Sequence, residues 1–139
     1  MKSFAVIGNP ISHSLSPVIH NAFSKECSIE LSYEKILSPI DEFEFTASKF
    51  IGDGGLGFNV TVPFKIEAFN FSQKLTSNAI AAGAVNTIKI ENNEVIGENT
   101  DGYGLVNFFR ALIKKGFEYA LSCSSCTNYQ NFFSAYRFT

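Results

Sequence analysis

Short apolar runs alternate with stretches of helical spacing, and this alternation constrains the fold more than any other feature of the sequence. Ser3 to Ile7 is such a run and ends at the turn signal Gly8-Asn9-Pro10. Leu31 to Leu37 and Leu56 to Val62 have the same character. Because repeated strand–helix units place parallel strands side by side, the sequence predicts an α/β fold whose mostly parallel sheet carries helices on both faces.

The stretches between these strands have helical spacing. Ser16-Pro17 marks the first helix start, since a serine hydroxyl can cap free backbone NH groups and proline is tolerated in the first turn. Further helices are predicted at 40–51, 64–71, 75–82 and about 103–115. Val85 to Ile90 and Glu94 to Gly97 flank Asn92-Asn93, which predicts one antiparallel hairpin.

Composition narrows the class of protein. Of the 139 residues, 45% are hydrophobic and only 17% are charged, which predicts a chain that folds as one domain. The formal net charge is −2, so we expect no nucleic-acid partner. No apolar stretch of membrane-spanning length and no signal peptide stands in the sequence, from which we expect a cytoplasmic protein without membrane contact. The sequence does not indicate an oligomeric state.

The cysteines and the last residues of the chain give weaker indications. Cys27, Cys123 and Cys126 are an odd number and fit a reducing compartment. The Cys123/Cys126 pair has C-x-x-C spacing but no histidine near it, so no metal site is expected. We predict a domain over residues 1–117 and leave 118–139 as an unassigned tail. The Ser, Cys, Tyr and Phe content of that tail suggests the hypothesis of an out-of-frame read.

Two glycine motifs invite a nucleotide-binding interpretation. Gly52 to Gly57 matches G-x-G-x-x-G, but it follows a predicted helix and precedes a predicted strand, which is the reverse of the order that a phosphate loop needs. Gly102-Tyr103-Gly104 lies between a strand and a helix, but Asn107 stands at the third glycine. We therefore expect no cofactor-binding residues in this chain.

Polar residues follow the predicted strands in three segments: Ser14-Leu15-Ser16, Asn59 to Lys65, and Asn99-Thr100-Asp101. Open parallel sheets bind ligands at the ends of their strands. The two serine hydroxyls beside a helix start suit a carboxylate or another small anion. The alternative is that Ser16 only caps the helix.

Lys65 stands at the start of a predicted helix, where a cation is disfavoured. It therefore either points into solvent or meets a negative partner such as Asp101. A lysine paired with a carboxylate can relay a proton to or from a substrate hydroxyl.

Four blocks together resemble the shikimate dehydrogenase family: Gly8 to Pro17, Asn59 to Lys65, Ala82 to Thr87, and Asn99 to Gly102. The resemblance covers about residues 1–117, the substrate-binding domain of that family. It implies NADPH-dependent reduction of 3-dehydroshikimate to shikimate, in chorismate and aromatic amino acid biosynthesis. It also implies that Lys65 and Asp101 are the catalytic pair, without deciding which of them transfers the proton. The residues implied to bind the substrate are Ser14, Ser16, Thr61, Lys65, Asn86 and Asp101.

The sequence also departs from this family. NADP enters only through the resemblance, because the nucleotide-binding domain of the family is expected to be absent from this chain. We therefore expect little or no turnover by the chain alone. A non-catalytic shikimate-binding module and a truncated remnant are the alternatives. The paired serines fit shikimate better than quinate, and His13 and His20 are expected to be mainly structural.

Overall fold

The structure is a computed structural model and describes the backbone of residues 1–122. The described residues divide into two compact units, of which the first is residues 1–100 and the second begins at Asp101. Unit 1 contains six strands and four helices, and unit 2 contains helix α5. In chain order the elements are β1 (Lys2–Gly8), α1 (Ser16–Glu26), β2 (Leu31–Leu37), α2 (Phe43–Gly52), β3 (Gly55–Val60), α3 (Lys65–Phe71), β4 (Lys74–Leu75), α4 (Ser77–Ala82), β5 (Thr87–Glu91), β6 (Glu94–Glu98) and α5 (Asp101–Ser122).

The six strands form one sheet in the order β2-β1-β3-β5-β6-β4. β1 pairs in parallel with both β2 and β3, and β4 pairs in parallel with β6. β5 is antiparallel to both of its neighbours, β3 and β6, so five strands run one way and β5 alone is reversed. The predicted fold class is confirmed, and so is the hairpin. Asn92 and Asn93 at its turn have φ of 52° and 62°, which explains why two asparagines stand there.

One face of the sheet carries the apolar core. Ala5 and Ile7 of β1, Phe58 and Val60 of β3 and Ile88 of β5 point to this face and are at most 3% exposed. Helices α2 and α3 cover it with buried apolar residues: Phe43, Ala47, Phe50 and Ala68. Phe64, which precedes α3 and is fully buried, stacks on Phe43 with 5.3 Å between ring centroids.

Several predicted element ends differ from the structure. α4 begins at Ser77 rather than Leu75, because Thr76 caps it by accepting a hydrogen bond from the amide of Ala79 at 3.2 Å. Lys74–Leu75 instead forms the short strand β4. α5 continues to Ser122, past the predicted end at Lys115, so Gly116 does not terminate it. In the described part of the chain, no helix is both long and apolar enough to cross a membrane.

Candidate active site

The polar segments singled out in the sequence converge on one edge of the sheet. β1, β3 and β6 run in the same direction, so their carboxyl ends lie on the same side. β5 is reversed, and its amino end therefore lies on that side too. This topology brings the loop after β1, residues 61–65 after β3, Asn86 before β5 and Thr100 after β6 to the edge where open α/β sheets bind ligands.

The two serines of the first segment lie side by side. The Ser14 hydroxyl donates to Ser16 Oγ at 3.2 Å, and the backbone amide of Ser16 donates to Ser14 Oγ at 3.3 Å. The alternative that Ser16 caps α1 is wrong: Leu15 is the N-cap residue and makes no side-chain capping hydrogen bond, and the amide of Ser16 is satisfied by Ser14 Oγ. Ser16 is instead the first helical residue, followed by Pro17, which has no NH to satisfy. The hydroxyl pair thus remains available for a ligand at the helix start.

Thr61 is fixed beside the end of β1. Its backbone amide donates to the carbonyl of Ile7 at 3.0 Å, and the amide of Asn9 donates to the carbonyl of Val62 at 3.0 Å. A Cβ on Gly8 would lie 2.4 Å from Cγ2 of Thr61, so only glycine allows this approach. The two strand ends are therefore locked together, and Thr61 stands half-buried at the edge.

Lys65 is the first residue of α3 and is half-buried. Its carbonyl accepts a hydrogen bond from the amide of Val85 at 2.8 Å, which ties the start of α3 to the segment that carries Asn86. The Asn86 carbonyl in turn accepts from the amide of Val60 at 2.8 Å. Lys65 and Asn86 are thus attached to the same strand end. Asp101 is the first residue of α5 and belongs to unit 2, and its pairing with Lys65 stays a prediction.

The side chain of Asn86 is held firmly against the end of β6. Its Oδ1 accepts from the backbone amide of Thr100 at 3.1 Å, and its Nδ2 donates to the Thr100 hydroxyl at 3.0 Å. Asn99, only 7% exposed, donates through Nδ2 to the carbonyl of Ala84 at 3.0 Å. Both asparagines therefore fix the loop after β6 to the residues that precede β5.

Behind these residues, on the sheet face opposite the apolar core, lies a polar network that sequence reasoning missed. The Tyr33 hydroxyl donates to Oδ1 of Asn59 at 2.5 Å. Asn59 Nδ2 donates to the Thr87 hydroxyl at 3.1 Å, and that hydroxyl donates to Asn86 Oδ1 at 3.0 Å. Asn59 belongs to a segment that the sequence singled out, but the sequence did not indicate that it links Tyr33 to Thr87. That link depends on the order of β2, β1, β3 and β5 in the sheet, and no local sequence pattern predicts this order.

Two titratable groups of this face are shifted by their surroundings. Burial raises the pKa of Tyr33 to about 12, and an interaction with the Ser16 side chain acts the other way. Burial also lowers the pKa of His20, against an opposing interaction with the Asn59 side chain. The His20 ring stacks on Tyr33 at 4.2 Å between centroids and an interplanar angle of 7°. Both groups are therefore kept neutral near pH 7, and His20 packs against the network.

The glycine motifs do not form a nucleotide site. Gly52 ends α2 and Gly55 begins β3, so this motif is a turn from a helix into a strand. Gly102 and Gly104 lie inside the first turn of α5. Between residues 1 and 122 no glycine-rich loop leads from a strand into a helix start, and these residues do not fit the pyrophosphate of NADP. In the same range no group of histidine, cysteine and acidic side chains could hold a metal, and Cys123 and Cys126 lie outside the described residues.

Cavity size does not locate the site. A cavity of about 860 Å³ lies beside α2 and α3 and is lined by residues such as Phe43, Glu44 and Glu67. None of the predicted site residues lines it. The convergence of polar side chains at the strand ends, rather than volume, therefore defines the candidate site.

Comparison with known proteins assigns the family. The model of the shikimate dehydrogenase substrate binding domain matches residues 6–88. Shikimate dehydrogenase (NADP(+)) of Ruthia magnifica subsp. Calyptogena magnifica is 62% identical over 107 residues, which are 77% of this chain and 40% of that protein. The chain belongs to the shikimate dehydrogenase family, through the substrate-binding domain, and spans about 40% of the length of this curated relative.

Solved structures agree in fold. The crystal structure of shikimate dehydrogenase from Aquifex aeolicus superposes with a TM-score of 0.78 at 35% identity, covering 82% of this chain and 43% of that one. Shikimate 5-dehydrogenase from Thermus thermophilus, solved in complex with NADP(H) and shikimate, gives a TM-score of 0.75 at 32% identity. That match covers 80% of this chain and 42% of the Thermus chain. The predicted resemblance is thus confirmed as family membership.

Proposed function

We propose that this chain supplies the substrate-binding part of an NADPH-dependent shikimate dehydrogenase, which reduces 3-dehydroshikimate to shikimate. The observation that carries the proposal is the convergence of the Ser14/Ser16 pair, Thr61, Lys65 and Asn86 on the strand-end edge of the sheet. These groups match a small ligand with one carboxylate and several ring hydroxyls.

Each group has a distinct part in this proposal. The hydroxyls of Ser14 and Ser16 donate hydrogen bonds to the substrate carboxylate. The carboxylate lies at the start of α1, where the helix dipole favours negative charge. Thr61 and Asn86 hold ring hydroxyls. Lys65 and Asp101 contact the oxygen that changes between carbonyl and hydroxyl, and one of the pair supplies the proton that this oxygen gains on reduction.

The described residues support substrate binding more directly than they support the NADPH-dependent reduction. NADPH would supply the hydride, but residues 1–122 carry no fitting loop for it, so this chain's own part is to bind, orient and protonate the substrate. Holding two reactants close together in the reactive orientation can lower the activation free energy by about 7–11 kcal/mol. We therefore expect the chain alone to bind shikimate with little turnover.

Calorimetric titration with shikimate tests this function. The unaltered chain is expected to bind saturably, and Lys65→Met to bind about 10- to 100-fold more weakly, because hydrogen bonds from charged groups contribute about 1.5–3 kcal/mol. Lys49→Met is the matched control: Lys49 lies on α2 in an exposed ion pair with Asp53 at 3.2 Å, and its loss should not change affinity. Absence of shikimate binding by the unaltered chain would refute the proposal.

A further inference from the structure

Asn86 immediately precedes β5 and carries a side-chain amide whose two ends have opposite hydrogen-bonding character. Oδ1 accepts hydrogen bonds and Nδ2 donates them, and a rotation of the amide by half a turn exchanges the two atoms. What a ligand meets at this position therefore depends on which way the amide is turned. The neighbours of Asn86 decide that orientation.

The loop after β6 fixes the amide of Asn86. The backbone NH of Thr100 lies 3.1 Å from Oδ1 of Asn86, and a backbone NH can only donate a hydrogen bond. The atom that faces this NH must therefore be the amide oxygen, and Nδ2 donates to the Thr100 hydroxyl at 3.0 Å. A flipped amide would set its NH2 group against the NH of Thr100, which would be two donors without an acceptor.

Thr87 takes up the remaining acceptor capacity of the same oxygen. Its hydroxyl lies 3.0 Å from Oδ1 of Asn86 and donates its single proton there, because Oδ1 has no proton to give. The Thr100 hydroxyl also lies 3.3 Å from this atom. An amide oxygen has two lone pairs, so the NH of Thr100 and the hydroxyl of Thr87 are enough to occupy them. Oδ1 is therefore closed to a substrate hydroxyl.

The rest of the polar network agrees with this direction of the Thr87 proton. Because Thr87 donates to Asn86, it accepts on its other side, where Nδ2 of Asn59 donates to it at 3.1 Å. Oδ1 of Asn59 then faces Tyr33, whose hydroxyl donates to it at 2.5 Å. Burial raises the pKa of Tyr33 to about 12, so this proton stays in place at neutral pH. The three hydrogen bonds therefore run in one direction, from β2 to Asn86.

We propose that Thr87 is a positioning residue that restricts Asn86 to the role of hydrogen-bond donor: its hydroxyl occupies Oδ1, so a substrate can contact the amide only through Nδ2. The substrate atom at Asn86 must then be an acceptor. A ring hydroxyl and a ring carbonyl both meet this condition, whereas a ring ammonium group has only protons to offer. This inference rests on the proposed function, in which Asn86 holds a ring hydroxyl of the substrate.

The experiment measures the dissociation constant of shikimate for the unaltered chain, for Thr87→Val and for Thr87→Ser. Valine keeps the branched shape of threonine without the hydroxyl, whereas serine keeps the hydroxyl. We expect Thr87→Val to bind shikimate about three- to tenfold more weakly, the effect of one lost hydrogen bond, because Thr100 alone then orients the amide. Thr87→Ser should stay within about twofold of the unaltered chain, because the donor to Oδ1 is restored.

Asn86→Ala distinguishes a positioning role from a structural one. In an Asn86→Ala background, Thr87→Val should have no further effect on shikimate binding, because the group that Thr87 positions is already gone. Thr46→Val is the matched control. It also removes a threonine hydroxyl from a part-buried hydrogen bond, 3.0 Å from the Ser38 hydroxyl, but it lies on α2 and should leave the affinity unchanged.

If Thr87→Val does not fold, the side-chain amide protons of Asn86 in the unaltered chain provide the test. Saturation with shikimate should shift the proton resonances of the Nδ2 group, because the substrate accepts a hydrogen bond from this group. Shikimate binding that leaves both Nδ2 protons unshifted would overturn the proposal.

The binding results distinguish this role of Thr87 from the proposed function. If the unaltered chain does not bind shikimate, the proposed function fails and this inference with it. If the unaltered chain binds and Thr87→Val binds equally well, the positioning role alone is overturned. Equal losses in Thr87→Val and Thr87→Ser, or an additive effect in the Asn86→Ala background, would also overturn it.

Discussion

The two faces of the sheet in unit 1 are built on different principles. On the face under α2 and α3, packing is apolar, and α2 buries Phe43, Ala47 and Phe50. On the opposite face α1 has no buried residue. Its His20 stacks on Tyr33, and the Tyr33 hydroxyl donates to Asn59 on β3. The comparison teaches that packing on the apolar face stabilises the domain, whereas hydrogen bonds on the polar face orient side chains of the candidate site.

The largest expected effect follows from the apolar face. Phe43→Ala removes a ring that is 3% exposed and packs on Phe64 and Phe71, and should lower the free energy of unfolding by about 3–5 kcal/mol. The same change at Phe23 of α1, which is 53% exposed, should cost less than about 1 kcal/mol. Urea unfolding of both variants checks this prediction. Equal losses would contradict the division between the faces.

The next effect concerns binding at the strand-end edge. Replacing Ser14 and Ser16 together by alanine removes two donors to the substrate carboxylate and should weaken shikimate binding by at least about tenfold. The free energy of unfolding should fall by no more than about 1 kcal/mol, because the backbone contact that is lost is the single long bond from the Ser16 amide to Ser14 Oγ at 3.3 Å. A large loss of stability with unchanged affinity would assign the pair to the fold instead of the site.

The smallest effect is the pH dependence that His20 introduces. Burial lowers its folded-state pKa below the unfolded value of 6.5, so the unfolded chain binds the proton more readily. The stability contribution of neutral His20 is therefore complete above about pH 6.5 and is lost as pH falls through the lowered pKa. His20→Phe, which keeps a ring against Tyr33, should lose less stability than the unaltered chain between about pH 7.5 and 5.

Thermal unfolding of the two proteins across this pH range is the measurement. Acidic residues titrate in both proteins, so only the difference between them reports on His20. Parallel curves would show that the folded chain binds this proton as readily as the unfolded one.

The sequence predicted the elements of the apolar face more completely than the contacts of the polar face. The spacing of apolar residues in 40–51 predicts α2, and β2 lies where the sequence predicts it. Both follow from local periodicity. The network of Tyr33, Asn59 and Thr87 joins three strands in an order that no local pattern encodes. The sequence also left open whether Ser16 caps α1, because serines at helix starts show the same local pattern whether they cap the helix or bind a ligand.

The family blocks indicated the candidate site residues, but only the topology explains why they meet. Ser14, the Thr61/Lys65 pair and Asn86 come from three separate segments. They share one edge because β5 is reversed and brings its amino end beside the carboxyl ends of β1 and β3. The role of Asp101 as the partner of Lys65 stays a prediction.

The most direct test of this account is an amide chemical-shift titration of the chain with shikimate. The account predicts saturable shifts at the strand-end edge, at the amides of Ser16, Thr61, Lys65 and Asn86. It predicts no saturable shifts along α2 on the apolar face. Shifts confined to the α2 face, or none at all from a folded chain, would contradict the claim that this edge is the substrate site.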